Sequence, residues 1–254
     1  MTARIVTLDI ERLSAIVEVW GLGDKQYIQP SSIIEPSRTI CLAWKWEGES
    51  KTHFASEWED THEGMIRKAH AVMDEADYVI GWNSARFDVK HLNGHFLAYG
   101  LLPPSPHTNI DLMVNVKRNF EFMSNRMAYI AETLRIDGKA KTPPGLWRDL
   151  RSEDPVIVDR ARGKMKKYNK RDVELTEELY YILRPWLIGI NLGSLDETVA
   201  KGESRCPNCN SANLRKKGLR GNSTYTYQRF VCNDCGKWSK ARKSIKSVGM
   251  AGLV

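Results

Sequence analysis

Apolar and polar positions along the chain change period several times, and each change marks an element. Arg4-Ile5-Val6-Thr7-Leu8-Asp9-Ile10-Glu11 is β-rich and ends in two carboxylates two residues apart. Side chains at i and i+2 of a strand share a face, so Asp9 and Glu11 are expected side by side. Two further strands are predicted over Thr39 to Trp46 and Lys51 to Glu57, with Glu47-Gly48-Glu49-Ser50 as the hairpin turn between them. Asp60 or Thr61 would cap a helix running to Glu75. Asp77 to Trp82 reads as a buried strand, and Ala85 to Tyr99 as a helix through Phe87, His91, Leu92 and Phe96, ended by Pro103, Pro104 and Pro106.

His107 to Leu112 is then predicted as a strand, Ser124 to Leu134 as a helix with Ser124 at its N-cap, and Lys139 to Gly145 as a loop. From Asp154 to Trp186 the pattern is helical, with interruptions expected at Gly163 and Pro185. Gly189 to Ser204 is poor in large apolar residues and reads as a linker. No internal repeat is visible. Strands alternating with helices and followed by a short distinct segment predict an α/β or α+β sheet domain with a small second module.

Charge sharpens that division. The 254 residues are 42% hydrophobic and 27% charged, which excludes disorder and collagen-like structure. Residues 1–200 hold 26 Lys+Arg and 29 Asp+Glu, a net of −3, while residues 201–254 hold 12 and 2, a net of +10. A basic block on a faintly acidic body marks a polyanionic partner, most often nucleic acid; its plain alternative is a solubilising tail. No run approaches the roughly 18 apolar residues of a membrane span. Arg4, Asp9 and Glu11 interrupt any apolar core of a signal peptide, so a cytoplasmic protein is expected.

Four of the five cysteines, Cys206, Cys209, Cys232 and Cys235, lie in the basic block as two C-x2-C pairs. A two-residue spacer lets two thiolates converge on one tetrahedral ion, and Pro207, Asn208 and Asp234 to Gly236 supply turn chemistry. Disulfides are the alternative, and they need an oxidising compartment. One structural Zn²⁺ closed by four thiolates is the expectation, with no open position for catalysis. Cys41, alone in an apolar run, is expected to be a small core residue.

Three acidic sites stand near the ends of predicted elements: Asp9-x-Glu11, then Asn83-x-x-x-Phe87-Asp88, then Tyr168-x-x-x-Asp172. The last spacing puts phenol and carboxylate on one helix face. Singly, each has a dull explanation as an edge pair, a helix cap or a chance helical spacing. Together, carboxylates on or beside buried strands repel one another unless cations or protons neutralise them.

In this order the three sites resemble the exonuclease motifs of the DEDD group of the ribonuclease H-like superfamily, in its tyrosine-bearing subtype, as found in DnaQ-like exonucleases and family B DNA polymerase proofreading domains. The resemblance covers residues 3–187 with all five signature positions intact. Val19-Trp20-Gly21-Leu22, Ala43-Trp44-Lys45-Trp46, Ser56-Glu57-Trp58 and the cysteine module are together similar to stand-alone bacteriophage exonucleases. The resemblance implies an α/β fold, a ribonuclease H-like mixed sheet flanked by helices, over residues 1–188. A linker over 189–204, a zinc ribbon over 205–243 and a flexible tail over 244–254 would follow.

It further implies that Asp9, Glu11, Asp88 and Asp172 hold two Mg²⁺ or Mn²⁺ ions and that Tyr168 is the catalytic tyrosine. Carboxylates of this kind can hold two ions about 3.5–4 Å apart across an in-line phosphoryl displacement. Asp9 would bridge both, Glu11 and Asp172 would complete the side of the attacking water, and Asp88 would serve the other ion. Tyr168 would orient or deprotonate that water. Asn83 would position the terminal nucleotide or the loop, and Ile10 and Phe87 would contact the nucleic acid. Asp111 is expected to make structural hydrogen bonds, and His91 and His95 to serve packing or solvent.

The cysteine module resembles zinc ribbons of transposase and phage proteins. Its cations alternate with rings: Arg215, Lys216, Lys217 and Arg220, then Tyr225, Tyr227, Arg229 and Phe230, then Lys237, Trp238, Lys240, Arg242 and Lys243. Cations for phosphate beside rings for stacked bases suit single-stranded nucleic acid, with Phe230 and Trp238 expected partly in the ribbon's small core.

The expected function is a metal-dependent 3′-to-5′ exonuclease releasing nucleoside 5′-monophosphates from DNA, at single-stranded or frayed 3′ ends, with the ribbon holding the strand. RNA is the alternative substrate. A non-catalytic adaptor is the alternative class, and its signature, loss of an acid, is absent. A polymerase or a recombination or replication protein would be a partner in trans, in the host cytoplasm if a phage encodes the chain.

Overall fold

A computed structural model describes residues 3–21, 27–136, 143–192, 202–222 and 224–247. The expected tail beyond 247, most of the expected linker, Leu22 and the loop residues 139–142 lie outside the described residues. The chain divides into two compact units: residues 4–113 with 122–178, and residues 1–3 and 114–121 with 179–254.

The first unit is built on a five-stranded sheet in the order β5-β4-β1-β6-β7. Its strands are β1 (Ile5–Leu13), β4 (Arg38–Trp46), β5 (His53–Ser56), β6 (Tyr78–Gly81) and β7 (Thr108–Asp111). β1 pairs antiparallel with β4 and parallel with β6, while β7 runs parallel to β6, so the sheet is mixed. Because side chains alternate, Val6, Leu8 and Ile10 enter one core with Leu42 and Trp46 of β4. Met65, Ile66, Ala69 and Met73 of α2 (His62–Glu75) and Leu92 and Phe96 of α3 (Asp88–Ala98) cover that face. Asp9 and Glu11 therefore face the opposite side, where α7 (Pro155–Leu183) lies: Lys45 pairs with Glu177, and Thr52 donates to Glu174 at 3.0 Å.

The elements begin and end for local reasons. The Thr61 hydroxyl caps α2 by accepting from the Gly64 N–H at 3.2 Å. Asp154 accepts from the Val156 N–H at 2.8 Å, and Pro155 opens α7 where its missing N–H is harmless. Gly163 does not interrupt α7 as expected. One exposed glycine costs about 1 kcal/mol, which the buried stripe of Ala161, Met165, Val173, Leu175 and Leu179 outweighs. Pro185 does end the α-helix, in a short 3₁₀ turn over Arg184–Trp186.

Three other expectations shift. The predicted helix from Ala85 begins only at Asp88, because residues 82–87 form a turn. Ser124 is not an N-cap: its hydroxyl accepts from Arg126 two residues on, and α5 (Met127–Thr133) starts later. β1 runs past Glu11 through a bulge at Glu11/Arg12, and a hairpin of β2 (Ile16–Val17) and β3 (Ile33–Glu35) follows, with Trp20 and Ile34 largely exposed. α1 (Glu57–Asp60), α4 (Leu112–Asn119) and α6 (Leu146–Asp149) complete the helices before α7.

The second unit contains a sheet centred on β9 (Tyr225–Cys232). β8 (Leu214–Gly221) pairs with it along one edge, and β10 (Trp238–Lys240) and β11 (Lys246–Ser247) along the other, all antiparallel. Within the same unit the Arg184 Nε donates to the Asn208 carbonyl and the Leu192 N–H to the Pro207 carbonyl, both at 2.9 Å.

Candidate active site and metal centres

Carboxylate oxygens of Asp9, Glu11 and Asp172 lie within 4.8 Å of one another. β1 supplies the first two through strand alternation, and α7 supplies the third one helical turn beyond Tyr168. Asp88 stands outside that trio but close enough for its charge to raise both Asp9 and Glu11. It opens α3, and its Oδ1 accepts the Ile10 N–H at 3.0 Å. β1 is registered to β6 only through Ile5–Thr7, so the Ile10 N–H is available to a side chain.

Burial disfavours ionisation of Asp9, Glu11 and Asp88, and their acidic neighbours add to it. Asp9 is held well above the usual carboxylate range, chiefly by burial and then by Asp88, Glu11 and Asp172. Glu11 is pushed up to about 8 by burial and by Asp172 and Asp88. Burial raises Asp88 to about 7 even though the backbone N–H groups of Ile10 and of Asp88 itself favour its anion. Such a group either keeps protons or gains cations. Oxygen donors this close suit hard divalent cations, which would hold all four groups ionised.

Two neighbours absent from the sequence expectation order this cluster. Asn169, fully buried, donates from Nδ2 to Asp9 Oδ2 at 2.7 Å and to the Asp9 carbonyl at 3.2 Å, fixing that carboxylate's orientation. Its place beside Tyr168 was the available signal, but a helical Asn gives no warning that it faces inward. Trp147 of α6 donates its indole N–H to the Arg12 carbonyl at 3.0 Å and meets the Tyr168 ring edge-on at 6.1 Å. It ties the end of the acidic strand to the phenol.

The turn carrying Asn83 is tightly built. Asn83 has φ +65, and its N–H and that of Ala85 bond to the two oxygens of Asp111 at 3.0 and 3.2 Å. A side chain on Gly81 would come within 2.5 Å of Ser84 Cβ, so the close approach needs glycine. Asp111 is thus a buried structural acceptor, as expected. Phe87 is exposed, edge-on to His91 at 4.7 Å. Ile10, expected beside the nucleic acid, is instead buried in the core and contributes only its N–H. His91 Nε2 meets Arg12 Nη1 at 2.9 Å, and His95 is pushed down to about 4 by burial and by His62, Arg12 and His91. Cys41 is fully buried opposite Glu11.

All four ribbon cysteines bring their sulfurs within 4.8 Å of one another. Cys206 to Cys235 and Cys209 to Cys232 are each 3.6 Å, close to the roughly 3.8 Å edge of a tetrahedron with metal–sulfur bonds of about 2.3 Å. A disulfide needs about 2.05 Å. Each knuckle closes alike: Asn210 and Gly236, the residues after the second cysteine, have positive φ, and their N–H groups return to the Cys206 and Cys232 carbonyls. Burial raises Cys206 to about 11, whereas at Cys235 burial is outweighed by hydrogen bonds led by the Lys237 N–H, lowering it to about 7. The donor set fits one tetrahedral Zn²⁺.

Of the ribbon cations, Arg215, Lys216, Lys217, Arg220, Lys240, Arg242 and Lys243 are exposed and Arg229 is half-buried. Lys237 differs from expectation: its ammonium turns inward to the Leu187 carbonyl. Trp238, expected partly in the core, is 46% exposed, and Tyr225 is 42% exposed.

Residues 37–184 match the RNase_H superfamily, a span holding Asp88, Tyr168 and Asp172 but beginning after Asp9 and Glu11. Among solved structures, the family B DNA polymerase from the hyperthermophilic archaeon Pyrobaculum calidifontis is similar at 21% identity and a TM-score of 0.51. That match covers 72% of this chain and 25% of the polymerase, so the chain corresponds to a quarter of that protein's length. No curated protein matches.

Proposed function

Since the chain belongs to the RNase_H superfamily, we propose that it is a divalent-metal-dependent 3′-to-5′ exonuclease that releases nucleoside 5′-monophosphates from DNA. One observation carries the reading: Asp9, Glu11 and Asp172 converge within 4.8 Å while Tyr168 stands one helical turn from Asp172. Two bound Mg²⁺ or Mn²⁺ ions would stabilise the negative charge that develops in phosphoryl transfer.

The chain's own groups do the rest. Asp9, oriented by Asn169, and Glu11 and Asp172 beside it would form the cation-binding floor on the side of the attacking water. Asp88, fixed by the Ile10 N–H, would serve the leaving side. Tyr168, its ring set against Trp147, would align the water for in-line attack. Phe87 and Asn83 would meet the terminal nucleotide, and the ribbon would keep the strand near the site by raising its local concentration.

The test is degradation of 5′-labelled and 3′-labelled DNA with Mg²⁺. Stepwise shortening from the 3′ end is expected, and Asp9→Ala should reduce it at least about 10²- to 10³-fold without weakening binding. Undiminished cleavage by that variant would overturn the site assignment. A matched RNA oligonucleotide in the same assay ranks the two sugars.

A further inference from the structure

The ribbon's basic residues are not spread evenly around its sheet. Residues directly opposite one another in neighbouring strands share a face. Arg215 pairs with Val231 and Val231 with Trp238; Arg229 pairs with Lys240; Arg220 pairs with Tyr227. With Tyr225 two residues before Tyr227, one face carries Arg215, Arg220, Arg229 and Lys240 beside Tyr225, Tyr227 and Trp238. The other face carries Lys216, Phe230 and Ser239. A bulge between Lys216 and Leu219 brings the Lys217 ammonium to 5.4 Å from the Trp238 ring centre.

We propose that this face of the ribbon sheet is a binding site for single-stranded polynucleotide, with Trp238 and Tyr227 as stacking platforms and the surrounding cations as phosphate ligands. The inference rests on the nuclease reading above and specifies how its substrate is held. Three observations carry it. Among the described residues, Arg215, Lys217, Arg220, Arg229 and Lys240 have no acidic partner, so their charge is uncompensated. Cations lie over both rings: Arg229 5.2 Å over Trp238 and Lys240 4.2 Å over Tyr227. Between them opens a cleft of about 490 Å³ walled by Arg220, Tyr227, Arg229, Trp238 and Lys240.

An exposed cation–π contact is weaker than base–aromatic stacking, so a base can displace the cation, which then turns to the adjacent phosphate. Duplex DNA keeps its bases stacked on one another and cannot make that exchange. The site therefore selects unpaired strands.

The experiment uses the full zinc-loaded chain carrying Asp9→Ala, so that binding is read without cleavage and independently of whether the nuclease reading holds. Fluorescence anisotropy is recorded with oligo-thymidine, oligo-uridine and a duplex of equal length over a salt series. Trp238→Ala is expected to weaken both single strands about 5- to 100-fold, with Trp238→Phe restoring most of it. Lys240→Ala should flatten the slope of log affinity against log salt by about 0.7, while Lys216→Ala on the opposite face should change affinity less than about twofold. Equal losses from Lys240→Ala and Lys216→Ala would show diffuse electrostatic attraction and overturn the assignment. So would duplex binding as tight as single-strand binding, or indifference to Trp238→Ala.

Discussion

The carboxylate centre draws on three separate segments, the strand β1, the first turn of α3 and the middle of α7. The cysteine centre draws on two knuckles that carry their own geometry. In the first, the scaffold exists before any ion: Leu8, Ile10, Leu42, Met65 and Ile66 are buried around β1 whatever occupies the site. In the second, Cys206, Asn208 and Cys232 are the only buried residues among those described between 202 and 245. A fold with a core can force like charges together and let protons compensate. A sheet with almost no core has to be closed by its metal, and bound zinc contributes apparent energies of about 10–16 kcal/mol in small modules.

Zinc removal is the most severe test of that contrast. Chelation, or Cys232→Ser, should unfold the ribbon, seen as protease sensitivity of residues 202–247 and a shift of Trp238 emission. The thermal transition of the sheet domain should move little. A ribbon that stays folded without metal, or a sheet domain that melts with it, breaks the comparison.

The next effect concerns preorganisation in the carboxylate centre. Tyr168→Phe should lower kcat about 10²- to 10⁴-fold, and Trp147→Ala up to about 10²-fold, with KM little changed in both. Since Trp147 is argued to act through the phenol, its substitution should cost almost nothing further in the Tyr168→Phe background. Additive losses in the double variant would show that Trp147 acts by another route.

The smallest effect is a pH dependence in metal-free protein. Glu11 at about 8 and Asp88 at about 7 stand above their unfolded values, so the folded chain binds more protons than the unfolded one. Stability should therefore fall as pH rises from about 4 to 8. Mg²⁺ should raise the melting temperature by a few degrees at pH 8 and by much less at pH 5, where protons compete for the same oxygens. A metal shift independent of pH would contradict the protonated cluster.

Legibility followed the range of the interactions. The strands around Asp9, Cys41 and Asp77 to Trp82, the cap at Thr61 and the helix stop at Pro185 were readable because periodicity, caps and breakers act within a few residues. The β2–β3 hairpin was missed because its short strands hold few residues and no strong turn pair. Gly163 misled because its local cost is outweighed by packing contacts that only the assembled helix makes. Ile10 was placed next to substrate on its position in the motif, yet strand alternation sends its side chain into the core.

By itself the sequence determined the acidic pairings on one strand face and one helix face, the tetrahedral cysteine set and the basic character of the last fifth of the chain. Each of these depends on spacings of two to four residues, which backbone geometry converts directly into proximity. Tertiary structure alone decided that Asp172 meets Asp9 and Glu11, that Asn169 orients Asp9 and Trp147 packs on Tyr168, and that the ribbon's cations and rings gather on one face. Those outcomes depend on strand register and on which helix face packs inward, and both are set by burial summed over the whole fold.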